Sequence, residues 1–430
     1  MAMPTPLQLS KIHLESFKNL EIPEAGLPFQ NLNVWIGPNG SGKSSIIGIL
    51  AFLRDALSGD GEEGRGISRF EGAVMELGRG RILAGSEKPP AAVRITFVFD
   101  PSRDYPNGLF YKLHLMVENA GRVAVCAEML SDAEAGEGRD APFVYFEKSE
   151  GSSECKVWYF ENESGKTEQV AVFDSIPANR LTLDAITEWI IKKGRVFGHT
   201  PVFEVRQQMI ETVSGWCFYN ANKMNLNQIR DAEPRFGSTD LFVSRSGCNL
   251  PLVFHNLQQK NADFEDHITR AMKAVLPETR KIRAVSAGRL RFGIEWHMKE
   301  VSEPFYLGDM ADGAVRMLLW AVILLSRELP SLLVLDVPET GIHPAWMKTL
   351  SEWIKMTAEH TQVIVISHNP DLLDGFTDQW QNVVSFNTDG RGRFLPTRLK
   401  ETLLLPKMAE GWELGDLYRV GDPAVEGWPW

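Results

Sequence analysis

The sequence is poor in cysteine and has no paired cysteine motif. Its four cysteines, Cys126, Cys155, Cys217 and Cys248, lie far apart, and no C-x-x-C pair exists. That spacing argues against a zinc site and against a disulfide framework, and it suits a reducing cytoplasm. Long hydrophobic runs are also missing. The longest strongly apolar stretch, Met317 to Leu325, is cut off by Ser326-Arg327-Glu328 and is too short to span a bilayer, so no membrane partner is expected. Met1 to Pro6 carries neither a basic nor an apolar segment, which argues against a signal peptide. Positive charge is not in excess. A formal net charge of −11 disfavours non-specific binding to nucleic acid but leaves room for a local basic groove. With 43% hydrophobic and 23% charged residues over 430 positions, the chain reads as a soluble globular protein of about two or three domains, or of one domain with a large insertion.

What is present is a phosphate loop. Leu32-Asn33-Val34-Trp35-Ile36, a short apolar run that predicts a buried strand, leads directly into Gly37-Pro38-Asn39-Gly40-Ser41-Gly42-Lys43-Ser44-Ser45. The pattern G-x-x-x-x-G-K-[ST] is met at every fixed position. Ile46, Ile47, Ile49, Leu50, Phe52 and Leu53 then predict a helix with an apolar face, ending near Leu57. Glycines let the backbone turn its N–H groups toward an anion, and a helix N-terminus adds partial positive charge. Lys43 is expected to reach the terminal phosphates of ATP, and Ser44 to hold Mg²⁺ through its hydroxyl.

Before the loop, Leu7 to Leu14 alternates as a strand does, and Ser16-Phe17-Lys18-Asn19 predicts a turn. Beyond the loop helix, Ser58 to Gly66 has a flexible composition. From Ala92 to about Phe173, period-two segments separated by turn-rich breaks predict a β-meander. Leu183 to Leu276 reads as mostly helical. Arg280-Lys281-Ile282-Arg283 and Arg289-Leu290-Arg291 form the only dense basic run. Its strand-like interleaving fits a solvated face better than a nucleic-acid groove, although a groove stays open.

The second half of the site lies far along the chain. Ser331-Leu332-Leu333-Val334-Leu335-Asp336 is an apolar run ending in a carboxylate. That is the signature of a buried parallel strand presenting a ligand at its C-terminal end. Paired with a phosphate loop, Asp336 is the natural Mg²⁺ ligand, direct or through water. A crossover helix from Pro344 to His360 and the strand Gln362 to Ser367 follow, ending in His368-Asn369-Pro370. A histidine there can reach a γ-phosphate, a reading favoured over that of a capped surface residue.

These segments together resemble the ABC-type head ATPases of the RecF, SMC and OLD group. The chain is most similar to the compact ATPases of bacterial defence loci. The resemblance is carried by the phosphate loop, a long insertion, Met310-Ala311-Asp312-Gly313-Ala314-Val315-Arg316, Leu335-Asp336-Val337-Pro338-Glu339-Thr340-Gly341-Ile342-His343-Pro344, and Ser367-His368-Asn369. Leu14 to Asn19, with Lys18 as the basic residue, Ser246 to Leu250, and Glu413 to Leu417 resemble further family segments. It implies an α/β P-loop ABC-type ATPase head with an inserted antiparallel β-meander and a helical lobe. Residues 1–90 and 301–430 would form the nucleotide-binding core, 91–180 the β-rich insertion and 181–300 the helical lobe. It also implies a head-to-tail homodimer, or a higher homo-oligomer, that sandwiches ATP and Mg²⁺. Gly37, Asn39, Gly40, Ser41, Gly42, Lys43, Ser44, Ser45 and Lys18 of one subunit would then face Asp312 and Gly313 of the other.

Two departures qualify that resemblance. Ala311 stands where the family usually has Ser. Val337 stands where it usually has the Glu that positions the attacking water, and valine cannot accept a proton. Glu339 and His368 are the remaining candidates for catalysis, so slow hydrolysis is expected, with ATP acting mainly as a clamp. The chain ends about sixty residues after His368, which leaves no room for the nuclease domain of longer relatives. The resemblance therefore implies a sensor or scaffold that works with a separate effector protein, a nuclease or toxin, in anti-phage defence. The rivals are a RecF-like ATPase that clamps DNA through the Arg280–Arg291 run, a transporter subunit, and an ATP-binding protein that never hydrolyses.

Overall fold

The computed structural model describes residues 6–425 apart from 21, 23–24, 60–67, 85–86, 161–167, 193–198, 232–233, 235–238, 287–290, 389 and 391. Most of the flexible loop expected after Ser58, the pair Arg289-Leu290 and the aromatic end Trp428-Pro429-Trp430 lie outside the described residues. The chain forms two compact units. One comprises Met1–Gln30, Asn39–Trp216 and Phe386–Thr397. The other comprises Asn31–Pro38, Cys217–Ser385 and Arg398–Trp430.

The first unit is built on an eight-stranded sheet. Its order is Leu27–Pro28, Leu9–Glu15, Ala91–Phe99, Leu109–Val117, Val123–Asp132, Val144–Lys148, Cys155–Phe160 and Glu168–Phe173. The pairs are antiparallel. Alternation explains the pairing: Val93, Ile95, Phe97 and Phe99 are buried, as are Leu109, Tyr111 and Leu113 on the next strand. Phe97 sits opposite Tyr111, with the rings stacked at 6.2 Å between centroids. The strands from Ala91 to Phe173 are the expected meander. They do not form a sheet of their own, because Ile12 pairs with Phe97 and Leu14 with Ile95, so the N-terminal strand and the insertion share one sheet. The expected division at residue 91 therefore falls inside a continuous sheet.

The helices Lys43–Ser58, Arg69–Leu77, Thr182–Lys192 and Val202–Ser214 belong to the same unit. Buried Glu128 ties one of them to the sheet. Its carboxylate accepts bonds from Tyr111 Oη (2.8 Å) and from the first-turn amides of Thr182 (2.5 Å) and Leu183 (2.9 Å). Burial pushes this carboxyl above its usual range.

The second unit holds parallel strands. Its part of a six-stranded sheet runs Trp216–Asn220, Leu332–Asp336, Gln362–Ile366, Leu32–Ile36, Val383–Thr388. Leu332–Asp336 is parallel to Gln362–Ile366, which is parallel to Leu32–Ile36, which is parallel to Val383–Thr388. Leu32–Ile36 and Gln362–Ile366 are buried throughout, as continuous apolar runs in parallel sheets require. Asp312–Leu325 is apolar on nearly every side and correspondingly buried from Ala314 to Leu324, half-buried Arg316 excepted.

The middle of the chain, Leu183 to Leu276, is mostly helical as expected, with one strand among the described residues. Trp216–Asn220 is a strand beside Leu332–Asp336. Leu250–Lys260 and Phe264–Val275 are helices in the second unit, followed by a three-stranded sheet of Thr279–Ser286, Phe292–Met298 and Phe305–Tyr306. In that sheet the described cations of the basic run are engaged. Lys281 pairs with Glu265 (2.5 Å), Arg283 with Glu295 (2.8 Å), and Arg280 Nη2 lies 3.4 Å from His297 Nδ1.

Candidate functional site

The phosphate loop is shaped by its glycines. Gly37, Gly40 and Gly42 have φ of 131°, 79° and 94°, a region that L side chains rarely adopt. A Cβ on Gly42 would also collide with the Leu20 side chain. Gly42 begins the helix Lys43–Ser58 without a side-chain cap, and the first turn contains no acidic residue. Ser45 N and Ile46 N donate to Gly42 O at 2.9 and 3.1 Å, and the positive end of the helix dipole lies at this uncapped turn, where it favours an anion. Lys43 is buried, with its ammonium donating to Ser41 Oγ at 2.9 Å, while Asn39, Gly40 and Ser44 are exposed. This cradle fits a phosphate chain.

The turn after the first strand grips the loop. Asn19 Nδ2 donates to Gly40 O at 2.8 Å. Lys18 is left-handed, at φ 51°, and its ammonium lies 5.2 Å from the Phe17 ring centroid. Burial lowers the Lys18 pKa from its usual value.

In the second unit, register brings three chain segments to one sheet edge. Asp336 pairs with Ile366, and Ile366 with Trp35. The C-terminal ends of the three strands thus carry Asp336, Ser367-His368 and Gly37 side by side. Asp336 is half-buried and accepts from Asn220 Nδ2 at 2.5 Å. Among the described residues no cluster of three or more His, Cys, Asp or Glu could hold a metal ion. A single carboxylate such as Asp336 suits Mg²⁺, which takes few protein ligands and completes its shell with phosphate oxygens and water.

The segment after Asp336 is a tight turn. Val337 has φ 49°, an outlier for a β-branched residue, and its amide donates to Ile366 O at 2.9 Å. Thr340 N donates back to Val337 O (3.2 Å). Glu339 does not face outward. Its Oε1 accepts from Ser367 Oγ at 2.9 Å and from His368 N at 3.0 Å, while Oε2 is buried without a hydrogen-bond partner. Burial raises this carboxyl above its usual range.

The segment around Asp312 and Gly313 packs against that turn. A Cβ on Gly313 would lie 3.0 Å from the Trp346 ring and 3.4 Å from Gly341 O. Gly341, at φ 72°, lies over the Arg316 guanidinium. Trp320 Nε1 donates to Pro338 O at 3.0 Å. Arg230 holds the start of the helix: its Nη2 lies 2.6 Å from both Asp312 Oδ1 and Met310 O. Ala311 offers no cap there.

Sequence reasoning missed Asn19, Asn220, Arg230 and the acceptor role of Glu339. Only Asn220 carried a usable signal: it closes Trp216-Cys217-Phe218-Tyr219, an aromatic-rich run of strand type.

A family described as "AAA domain, putative AbiEii toxin, Type IV TA system" matches residues 32–374, from the first residue of the phosphate-loop strand to the end of the helix Pro370–Asp374. No curated protein matches. Among solved structures, an SMC head bound to the C-terminal winged-helix domain of ScpA is similar at a TM-score of 0.52 and 12% identity, over 92% of this chain and 99% of that chain. The SMC head domain from Thermotoga maritima gives a TM-score of 0.44 at 13% identity, over 91% and 99%. At such identity the likeness is one of fold, and the first of these carries it. No helix among the described residues is long and apolar enough to cross a membrane.

Proposed function

We propose, on the premise that the chain belongs to this AAA-domain family and has the fold of an SMC-like, ABC-type ATPase head, that it is an ATPase in which the nucleotide acts chiefly as a clamp. The observation that carries this reading is the shared sheet edge. There the phosphate-loop strand, the Asp336 strand and the His368 strand end side by side.

In this reading Gly37, Asn39, Gly40, Ser41 and Gly42 shape the loop that turns backbone N–H groups to the phosphates of ATP, and Ser45 lines it. Lys43 exchanges its Ser41 bond for a terminal phosphate oxygen, and Lys18 adds positive charge at the rim. Ser44 and Asp336 are the residues that hold Mg²⁺, with Asn220 fixing the Asp336 carboxylate. When bound, Mg²⁺ neutralises charge on the β- and γ-phosphates. His368 serves as a γ-phosphate sensor. Asp312 and Gly313, held by Arg230, face the nucleotide of a second copy, giving a head-to-tail homodimer.

Val337 supports slow turnover, since a valine side chain cannot accept a proton. The same residue supports the second reading, a protein that binds ATP and does not hydrolyse it. The family's toxin-system description supports a toxin-related partner; a separate nuclease or toxin effector and a role in anti-phage defence rest on the resemblance alone. The SMC head bound to a ScpA domain is a precedent for a head of this fold with a protein partner.

The test is native mass by light scattering, with and without Mg-ATP, alongside phosphate release. A mass that doubles with ATP while release stays well below about 1 s⁻¹ fits the clamp. A mass that ignores ATP while phosphate is released refutes it.

A further inference from the structure

We propose that Glu339 is a positioning residue: its carboxylate fixes the His368 backbone against the turn that follows Asp336, and it does not accept the proton of the attacking water. This inference rests on the nucleotide reading above and assigns one residue within it.

The argument is geometric. Oε1 accepts from two donors at once, the Ser367 hydroxyl at 2.9 Å and the His368 amide at 3.0 Å. Ser367 is fully buried, and its Oγ accepts in turn from Asn369 N at 3.0 Å. Asn369 Oδ1 then accepts from Leu372 N at 3.0 Å, capping the helix Pro370–Asp374. One carboxylate oxygen therefore anchors a chain of bonds that fixes every residue from Ser367 to the first turn of that helix. The Val337 amide adds a second tie between the same two segments by donating to Ile366 O at 2.9 Å.

A proton acceptor needs an ionised oxygen open to water. Here Oε1 is saturated, and Oε2 is buried with no hydrogen-bond partner. Burial also favours the protonated form of this carboxyl. The two tasks make opposite demands. Fixing His368 needs only an acceptor oxygen, which an amide supplies. Taking a proton needs a carboxylate.

The experiment compares Glu339→Gln with Glu339→Ala in the full chain, each alone and combined with His368→Ala. Glutamine keeps an acceptor oxygen for both bonds. Its single-turnover phosphate release should stay within about threefold of wild type with an unchanged pH profile, whereas alanine should lose about thirtyfold or more, the effect of two lost hydrogen bonds. Binding of a fluorescent ATP analogue should change little in either. Because Glu339 acts through His368, adding Glu339→Ala to His368→Ala should cost almost nothing further. Amide exchange of the peptide spanning His368, in nucleotide-free protein, should be slow in wild type and Glu339→Gln and fast in Glu339→Ala.

A glutamine variant as impaired as the alanine variant overturns the proposal. So does an alanine variant with wild-type rate and wild-type exchange. If Glu339→Ala does not fold, Glu339→Gln decides alone: phosphate release reduced about thirtyfold or more, or fast exchange of the peptide spanning His368 in that variant, overturns the proposal. Failure of the wild type to bind Mg-ATP refutes the nucleotide reading instead, and the exchange comparison still decides whether Glu339 fixes the segment.

Discussion

Replacing Val337 with glutamate, Val337→Glu, puts a carboxylate where related heads usually carry their proton acceptor. The structure sets the size of the effect. The backbone at Val337 has φ 49°, and its two hydrogen bonds, to Ile366 O and from Thr340 N, use main-chain atoms only. A left-handed conformation costs any L side chain about 1–2 kcal/mol, and a β-branched one most of all, so the exchange should not weaken the turn. A well-placed general base contributes about 10²–10⁴ in rate, which is about 2.7–5.4 kcal/mol of barrier. Against this stands the charge of Asp336 next to it. Two like charges about 7 Å apart repel by about 2 kcal/mol at an effective dielectric of about 20, which disfavours ionisation of the new carboxyl. Glu339 adds less, because burial already favours its neutral form. The net expectation is a gain of about three- to three-hundredfold in single-turnover phosphate release at saturating Mg-ATP, increasing with pH. A variant that binds ATP normally and releases phosphate at the wild-type rate at every pH would refute the reasoning, because proton acceptance would then not limit turnover.

Further outcomes follow from other contacts. Gly42→Ala should lower the melting temperature and abolish ATP binding, since a Cβ there meets Leu20 at a left-handed φ of 94°, a cost of at least about 1–2 kcal/mol; a thermal melt with a nucleotide titration checks it. Arg230→Ala removes the contacts to Asp312 and Met310 O, worth about 1.5–3 kcal/mol for bonds to a charged group. Light scattering should then show ATP-driven doubling only at about tenfold or higher protein concentration, with nucleotide binding to the monomer unchanged. Glu128→Gln should remove a pH dependence. The folded-state pKa of Glu128 is raised, so its contribution is fully present below the ordinary carboxyl range and is lost as pH rises through the raised value. The melting temperature of the variant relative to wild type should therefore rise with pH, and a difference that falls with pH contradicts the assignment.

Local chemistry decided what was legible in the sequence. Leu32–Ile36 and Gln362–Ile366 stand out as uninterrupted apolar runs because both faces of a parallel strand are covered. The helix Lys43–Ser58 follows from glycine, then lysine and serine, then an apolar face. Trp216–Asn220 was legible only in its aromatic-rich composition, because five residues between helices carry too little periodicity to outweigh their surroundings. The sharing of one sheet by Leu9–Glu15 and Ala91–Phe99 was also hidden, since pairing across so much chain leaves no local mark. The same holds at the site. The loop and Asp336 are compact patterns, whereas the contact of Asn220 with Asp336 joins positions 116 residues apart and that of Arg230 with Met310 joins positions 80 apart. Glu339 was visible as a carboxylate, but its acceptor role depends on which way the turn after Asp336 closes.

The placement of Leu32–Ile36 in the sheet bears on how the chain is made. Asn33 Nδ2 donates to Val363 O, a contact spanning 330 residues. At about 5–20 residues per second of synthesis, this apolar strand waits roughly 15–70 s for the neighbour that covers it. During that interval it is an unpaired hydrophobic edge of the kind that chaperones shield and that otherwise seeds aggregation. Ribosome-bound chains halted before Gln362 should therefore be strongly holdase-bound, and chains released after Thr388 should not.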